Sequence, residues 1–214
     1  MTQYKLITAL CRGGGIGYKG DLPWPNIARD MRFFAKMTKP SIMDSGSIKT
    51  AVLMGRKTWD SLPLNAKPLK NRDNIIISSS GSATTNNPNV IYINDIDQLK
   101  SFSHKYDVIW IIGGSSIYEQ CIRNSNIVIE EVYITFINSI YNFDTKFPDL
   151  WLHNTVDENI GLKPSFDWSC SESIPPYATF EINPYAHYSI ETIDVVNASS
   201  DCPELSFLKF KRIS

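Results

Sequence analysis

Hydrophobic and polar positions alternate in blocks that predict strands separated by helices. Residues 4–11 (Tyr-Lys-Leu-Ile-Thr-Ala-Leu-Cys) read as a buried strand, and the glycines and prolines of 12–25 predict a loop. Over 27–37, Ile27, Met31, Phe34 and Ala35 recur at i, i+4, i+7 and i+8, one apolar stripe of a short helix. Asp30 shares that face, while Arg29, Arg32 and Lys36 point elsewhere. Residues 50–54 form an apolar run ending at Gly55, and a helix is predicted at 56–62. Asn74–Ser78 and Val90–Ile93 read as strands, and Asp95 as the N-cap of a helix through about Phe102. Val108–Ile112 is apolar throughout, which suits a central strand covered on both faces. Gly113-Gly114 interrupts it, a helix follows from Ser115 to Arg123, and Glu131–Ile137 reads as a further strand.

This alternation predicts an α/β fold with a mixed, mainly parallel sheet and flanking helices. Segments 177–182, 188–196 and 205–213 look strand-like, and two antiparallel strands at the C-terminal sheet edge are expected. In 205–213, Leu205 and Phe207 would face one side and Leu208 and Phe210 the other. Segment 149–176 has no clear period, and 79–89 reads as a surface loop.

Composition narrows the possibilities. A chain of 214 residues with 43% hydrophobic content suits one domain with a sizeable core. A net charge of −1 gives no electrostatic pointer to nucleic acid or membranes. Cys11, Cys121, Cys170 and Cys202 have neither C-x-x-C nor metal-ligand spacing, so free thiols in a reducing compartment are expected. The N-terminus lacks the apolar run of a signal peptide, and a cytoplasmic location is expected. No stretch approaches the ~18 apolar residues of a membrane-spanning helix. His104, His153 and His187 fall in no motif.

Asp30 is the first candidate for chemistry. An ionised carboxylate facing a core is costly unless it is paired or reactive. A partly exposed Asp at the edge of the stripe would give the same letters. Gly15-Ile16-Gly17-Tyr18-Lys19-Gly20 spells G-x-G-x-x-G after a strand, but Pro23 and Pro25 follow where the dinucleotide fingerprint needs a helix. A glycine-rich loop that covers a ligand suits the segment better. Gly55-Arg56-Lys57-Thr58 and Gly113-Gly114-Ser115-Ser116 each place glycine and polar donors where a strand turns into a helix. Such turns can hold phosphate groups, although a solvated basic turn reads the same. Arg72, after Pro68-Leu69-Lys70-Asn71, offers a fork for a carboxylate, or is a surface arginine.

Taken together, these pieces resemble dihydrofolate reductase of the eukaryotic, monofunctional type. The matching stretches are Gly15-Ile16-Gly17, Gly20 to Pro25, Arg32-Phe33-Phe34, Met54 to Trp59, Leu62-Pro63, Arg72 with Asn74, Gly113 to Tyr118, Ile134-Thr135, Asp144-Thr145 and Phe147-Pro148. Their order and spacing match from about residue 4 to 148. Beyond 148 the match is poor, and 149–204 is longer than in compact relatives.

The resemblance implies hydride transfer from NADPH to dihydrofolate, with both sites in one cleft at the C-terminal edges of the strands. Asp30 then matches the carboxylate that binds the pterin, and such a desolvated carboxylate should have a raised pKa unless hydrogen bonds offset it. Thr135 would support Asp30, and Trp24 would hold a nearby water. Ile7, Met31, Phe34 and Ile112 would wall the substrate, with the carbonyls of Ile7 and Ile112 facing the pterin amino group. Thr8 belongs to the same wall and replaces a commoner apolar choice, as Met31 replaces an aromatic one. Arg72 would pair with the glutamate carboxylate beside Leu69. On the cofactor side, Gly55, Arg56, Lys57 and Thr58 match a phosphate turn. Gly114, Ser115, Ser116 and Ile117 match the pyrophosphate turn. Gly113-Gly114 is cis in the family. Ala9, Ile16 and Tyr118 would lie near the nicotinamide.

Ser79 stands where many relatives carry Arg for the cofactor 2′-phosphate, which leaves Arg56 and Ser78 as discriminators. Ala66 stands where a relative offers Asn to the substrate amide. The resemblance implies a monomer that binds dihydrofolate and antifolate inhibitors and needs no metal, nucleic acid or membrane. Two rivals remain: a pyrimidine reductase of the same fold, which would lack the pairing of Asp30 with Arg72, and a folate- or nucleotide-binding protein without turnover.

Overall fold

The computed structural model describes residues 1–40, 42–43, 46–79, 86–148, 179–183, 186–200 and 202–213. In chain order the elements are β1 (Gln3–Cys11), β2 (Gly15–Gly17), α1 (Ala28–Thr38), β3 (Ile42–Met43), β4 (Gly46–Ser47), β5 (Thr50–Gly55) and α2 (Arg56–Ser61). They continue with β6 (Asp73–Ile77), β7 (Val90–Ile93), β8 (Val108–Gly113), α3 (Ser115–Arg123), β9 (Ile129–Ile137), β10 (Thr145–Lys146), β11 (Thr179–Asn183), β12 (Ala186–Val196) and β13 (Leu205–Arg212). The chain groups into two compact units, and β1 contributes Gln3–Ile7 to the first and Thr8–Cys11 to the second.

The first unit also contains 26–129. Its strands follow the order β1-β8-β5-β6-β7, and every pairing is parallel. β8 has a parallel partner on each side, and its successive residues Ile109, Trp110 and Ile111, which point to opposite faces, are all buried, so both faces are covered and the sequence is apolar. Leu6, Val52, Leu53, Ile75, Ile76, Ile109 and Ile111 are fully buried there. Parallel pairing brings the C-terminal ends of β5, β6 and β8 to one edge, so Gly55, Ser78 and Gly113 share it.

The second unit holds 8–25 and 130–214. β9, β13, β12 and β11 follow one another with antiparallel pairing. Leu205, Phe207, Leu208 and Phe210 are all buried, so β13 is covered on both faces and shows no simple alternation. The architecture is α/β, with a mixed, mainly parallel sheet and an antiparallel C-terminal edge, as the alternation predicts.

Four expectations need correction. The antiparallel edge has three strands, β11, β12 and β13, rather than two. The helix after Asp95 is a 3-10 helix, Ile96–Ser101; the cap itself is present, with the Asp97 N–H donating to the Asp95 carboxylate at 2.7 Å. Loop 12–25 is not without regular structure, because it contains β2, which pairs antiparallel with β10. Met31 is 46% exposed and does not lie in the buried stripe of α1. The expectation for 149–176 lies outside the described residues, as do Cys170, His153 and residues 80–85 of the surface loop. Cys11, Cys121 and Cys202 are free thiols. No helix among the described residues is long and apolar enough to cross a membrane.

Candidate active site

α1 buries only Asp30 and Thr38. Both are polar, on a helix whose cationic residues Arg29, Arg32 and Lys36 face solvent. Asp30 is 7% exposed and lies in the first turn, where a carboxylate interacts favourably with the helix dipole. Ile27 precedes the helix and is buried, and Phe34 is half-buried one turn beyond Asp30.

The turn that carries Arg72 is built by Asn74, which is fully buried at the start of β6. Its Oδ1 accepts from the Leu69 N–H at 2.9 Å, and its Nδ2 donates to the carbonyls of Leu69 at 3.1 Å and Arg72 at 3.0 Å. These bonds satisfy backbone groups that the turn leaves without ladder partners. Asn71 takes a positive φ of 65°, which asparagine tolerates better than most residues. Arg72 is thereby held inside the unit at 7% exposure. Its Nε donates to the Lys70 carbonyl at 3.1 Å and its Nη1 to the Thr38 hydroxyl. Burial lowers the guanidinium pKa from its ordinary value.

At the shared strand edge, Gly113 has φ +100° and lies against the ring of Tyr118; a Cβ there would come 2.7 Å from Tyr118 Cζ. The Tyr118 hydroxyl donates to the Ile7 carbonyl at 2.9 Å, which joins two candidate residues by one buried bond. The Gly113-Gly114 peptide is cis, as the resemblance implies. Gly114 caps α3 without a side-chain hydrogen bond, and a Cβ on it would come 3.2 Å from Thr58 Oγ1. Gly55 caps α2 in the same manner, and its Cβ would come 3.0 Å from Ile117 Cγ1. Glycine therefore lets the two turns approach each other. Arg56 and Lys57 are exposed beside them, and Arg56 pairs with Asp60 at 3.4 Å on the surface. Ser115 is half-buried and Ser116 exposed. Ser78 is buried at the end of β6, with its N–H on the Ile93 carbonyl at 2.9 Å, and Ser79 is exposed. Two uncapped helix starts, hydroxyls and cations at one edge fit the phosphates of a dinucleotide cofactor. Leu69 and Ile112 are half-buried in this unit.

The remaining candidates, Thr8, Ala9, Ile16, Trp24 and Thr135, belong to the second unit. Thr135 is buried on β9 opposite Phe207 of β13. Trp24 is buried with its ring edge-on to Tyr141, centroids 6.2 Å apart. Thr8 is buried and donates to the Ala9 carbonyl at 3.2 Å, and Ile16 is half-buried in β2. Tyr18 and Asp21 exchange backbone bonds of 2.8 and 3.0 Å across Lys19-Gly20, whose φ values of 50° and 84° suit a tight hairpin turn. The Asp144 carboxylate closes that turn, accepting from the Lys19 N–H at 2.7 Å and the Thr145 hydroxyl at 2.9 Å. Burial raises the pKa of the Cys11 thiol, and the buried Cys121 thiol is pushed up for the same reason. Neither sulfur suits a nucleophile. Among the described residues no His, Cys, Asp and Glu side chains cluster as metal ligands.

Sequence reasoning did not find the roles of Thr38, Asn74 or Asp144. Thr38 lies eleven residues after Ile27, three helical turns, and so continues the row that begins there. That spacing was the available signal.

The family model described as dihydrofolate reductase matches residues 3–159 of the chain. A dihydrofolate reductase of Aedes albopictus is 33% identical over 156 residues, 70% of this chain and 81% of that protein. One of Sus scrofa is 31% identical over 178 residues, 75% of this chain and 94% of that protein. A viral dihydrofolate reductase of Saimiriine herpesvirus 2 is 33% identical over 153 residues, 69% of this chain and 70% of that protein. The match runs from β1 through β10 and so takes in α1, the Arg72 turn and both glycine turns: the chain belongs to the dihydrofolate reductase family of oxidoreductases.

Proposed function

We propose that the chain reduces 7,8-dihydrofolate to 5,6,7,8-tetrahydrofolate with NADPH, as one cytoplasmic, monomeric domain over residues 1–214. In that role it supplies one-carbon metabolism and thymidylate synthesis and is a target of antifolates. The observation that carries the reading is the burial of the Asp30 carboxylate on α1. A carboxylate with two acceptor oxygens suits the adjacent amino and ring N–H donors of a pterin, and its charge favours the protonated ring. Thr135 supports it, and Trp24 holds the water through which the proton reaches the ring. Ile7, Thr8, Met31, Phe34 and Ile112 wall the substrate, and Arg72 with Leu69 receives its glutamate.

The nicotinamide supplies the hydride when the cofactor is bound. Gly55, Arg56, Lys57 and Thr58 hold one phosphate. Gly113, Gly114, Ser115, Ser116 and Ile117 hold the pyrophosphate, and Ala9, Ile16 and Tyr118 flank the ring. Arg56 and Ser78 read the 2′-phosphate, and Ser79 adds no charge there. Little acid–base machinery is needed, because holding two rings face to face, with water kept out, supplies much of the work.

The test is NADPH absorbance loss with and without dihydrofolate across pH, repeated with Asp30→Asn. Substrate-dependent loss that the substitution abolishes near neutral pH is expected. A folded protein that binds NADPH and shows no such loss overturns the substrate assignment.

A further inference from the structure

Thr38 is the last residue of α1 and is fully buried. Its hydroxyl donates to the Phe34 carbonyl at 2.8 Å, one turn back along the helix. A threonine hydroxyl carries one proton, so its lone pairs can then only accept. Arg72 Nη1 supplies the donor. A guanidinium has no acceptor, so the direction of the bond is fixed from both ends.

The second restraint on Arg72 is its Nε bond to the Lys70 carbonyl at 3.1 Å. Bonds at Nε and Nη1 together set the plane and roll of the planar fork, and among the described residues its other N–H groups have no further partner. Among the described residues no carboxylate lies within ion-pair distance of Arg72. A buried cation with a fixed plane suits a planar, bidentate anion such as a carboxylate.

We infer that Thr38 is a positioning residue for substrate selection: its hydroxyl aims the Arg72 guanidinium at the glutamate carboxylate of dihydrofolate. This rests on the reading of Arg72 as the tail-binding residue. Thr38 acts through Arg72 and touches no substrate. Because the same hydroxyl is bonded to the Phe34 carbonyl, the turn of α1 expected at the middle of the substrate and the reader of its tail move as one piece.

The experiment compares kcat and KM for dihydrofolate with those for a dihydropterin that has no glutamate tail. Thr38→Val keeps the shape and removes the acceptor, Thr38→Ser keeps the hydroxyl, and Arg72→Gln removes the fork. Thr38→Val should raise KM for dihydrofolate about tenfold, the scale of one hydrogen bond to a charged group. The rise should be in KM rather than kcat, the preference for the tailed substrate should fall by the same factor, and Thr38→Ser should restore it. If Thr38→Val does not fold, Thr38→Ala reads the same ratio. A preference that Arg72→Gln lowers and Thr38→Val or Thr38→Ala leaves intact overturns the role of Thr38 alone. An equal KM rise for both substrates also overturns it, since packing alone would do that. A preference that Arg72→Gln leaves intact overturns the tail assignment and the role of Thr38 with it.

Discussion

Asp30 and Thr38 are the two buried residues of α1, and they stand eight positions apart on one side of the helix. At ~1.5 Å per residue, that spaces them about 12 Å along the axis. Asp30 sits at the end expected to receive the pterin, and Thr38 holds the arginine expected to receive the tail. On the proposed function, the helix would act as a ruler for a substrate with a basic ring at one end and an acid at the other. An apolar stripe alone would fix the helix to the sheet, but it would carry no such information.

The spacing predicts that the two residues act independently. Groups more than ~7–10 Å apart with no shared partner add in free energy. Asp30→Asn should lower kcat, and Thr38→Val should raise KM for dihydrofolate. In the double variant the two losses in kcat/KM should multiply to within about twofold, the usual error of such additivity. Steady-state kinetics of the four proteins measures this, and a loss well short of the product would mean that both substitutions disturb one shared element.

Gly113 gives a sharper test of the strand edge. Its φ of +100° is unfavourable for any side chain, and a Cβ would strike the Tyr118 ring at 2.7 Å. The ring cannot swing away cheaply, because it is buried and its hydroxyl is bonded to Ile7. Backbone strain and overpacking each cost about 1–3 kcal/mol. Gly113→Ala incurs both and should therefore lower Tm by roughly 5–20 °C in a chain of this size. Gly114→Ala should cost less, since that φ is −77° and the nearest atom is the Thr58 hydroxyl at 3.2 Å. Thermal unfolding of both variants decides it, and equal drops would sink the argument.

What the sequence revealed, and what it did not, follows from the range of the forces involved. The parallel strands were legible because β5, β6 and β8 are buried on both faces and therefore nearly all apolar. Asp30 was legible as a carboxylate on an apolar face. The inward position of Met31 was misread, because a stripe defined by four residues tolerates a rotation that exposes one of them. Thr38 was missed because threonine at a helix end ordinarily signals only the end. Its partner lies 34 residues away and is brought close by the Asn74 turn. The 3-10 character of Ile96–Ser101 turns on hydrogen-bond register, which a periodicity of a few residues does not resolve. β2 is three residues of Gly-Ile-Gly and has no alternation to read.

The hairpin turn at Lys19-Gly20 predicts a pH response that is local rather than global. Its Lys19 N–H donates to Asp144, whose other oxygen accepts from Thr145. The Lys19 N–H, with the Thr145 hydroxyl second, holds the Asp144 carboxyl below its ordinary value. A depressed carboxylate stabilises the folded loop above its unfolded pKa of about 3.9, and that contribution fades as the pH falls through the lower folded value. The Lys19 amide resonance should therefore titrate with a midpoint below about 3.9, and Asp144→Asn should remove the titration. Asp144→Ala, which removes both acceptor oxygens, should leave Gly13 to Pro25 cut faster by a protease at neutral pH, because β2 keeps its pairing with β10 but loses the closure of its turn. A midpoint at or above the ordinary carboxylate value would mean that Asp144 does not hold the turn in solution.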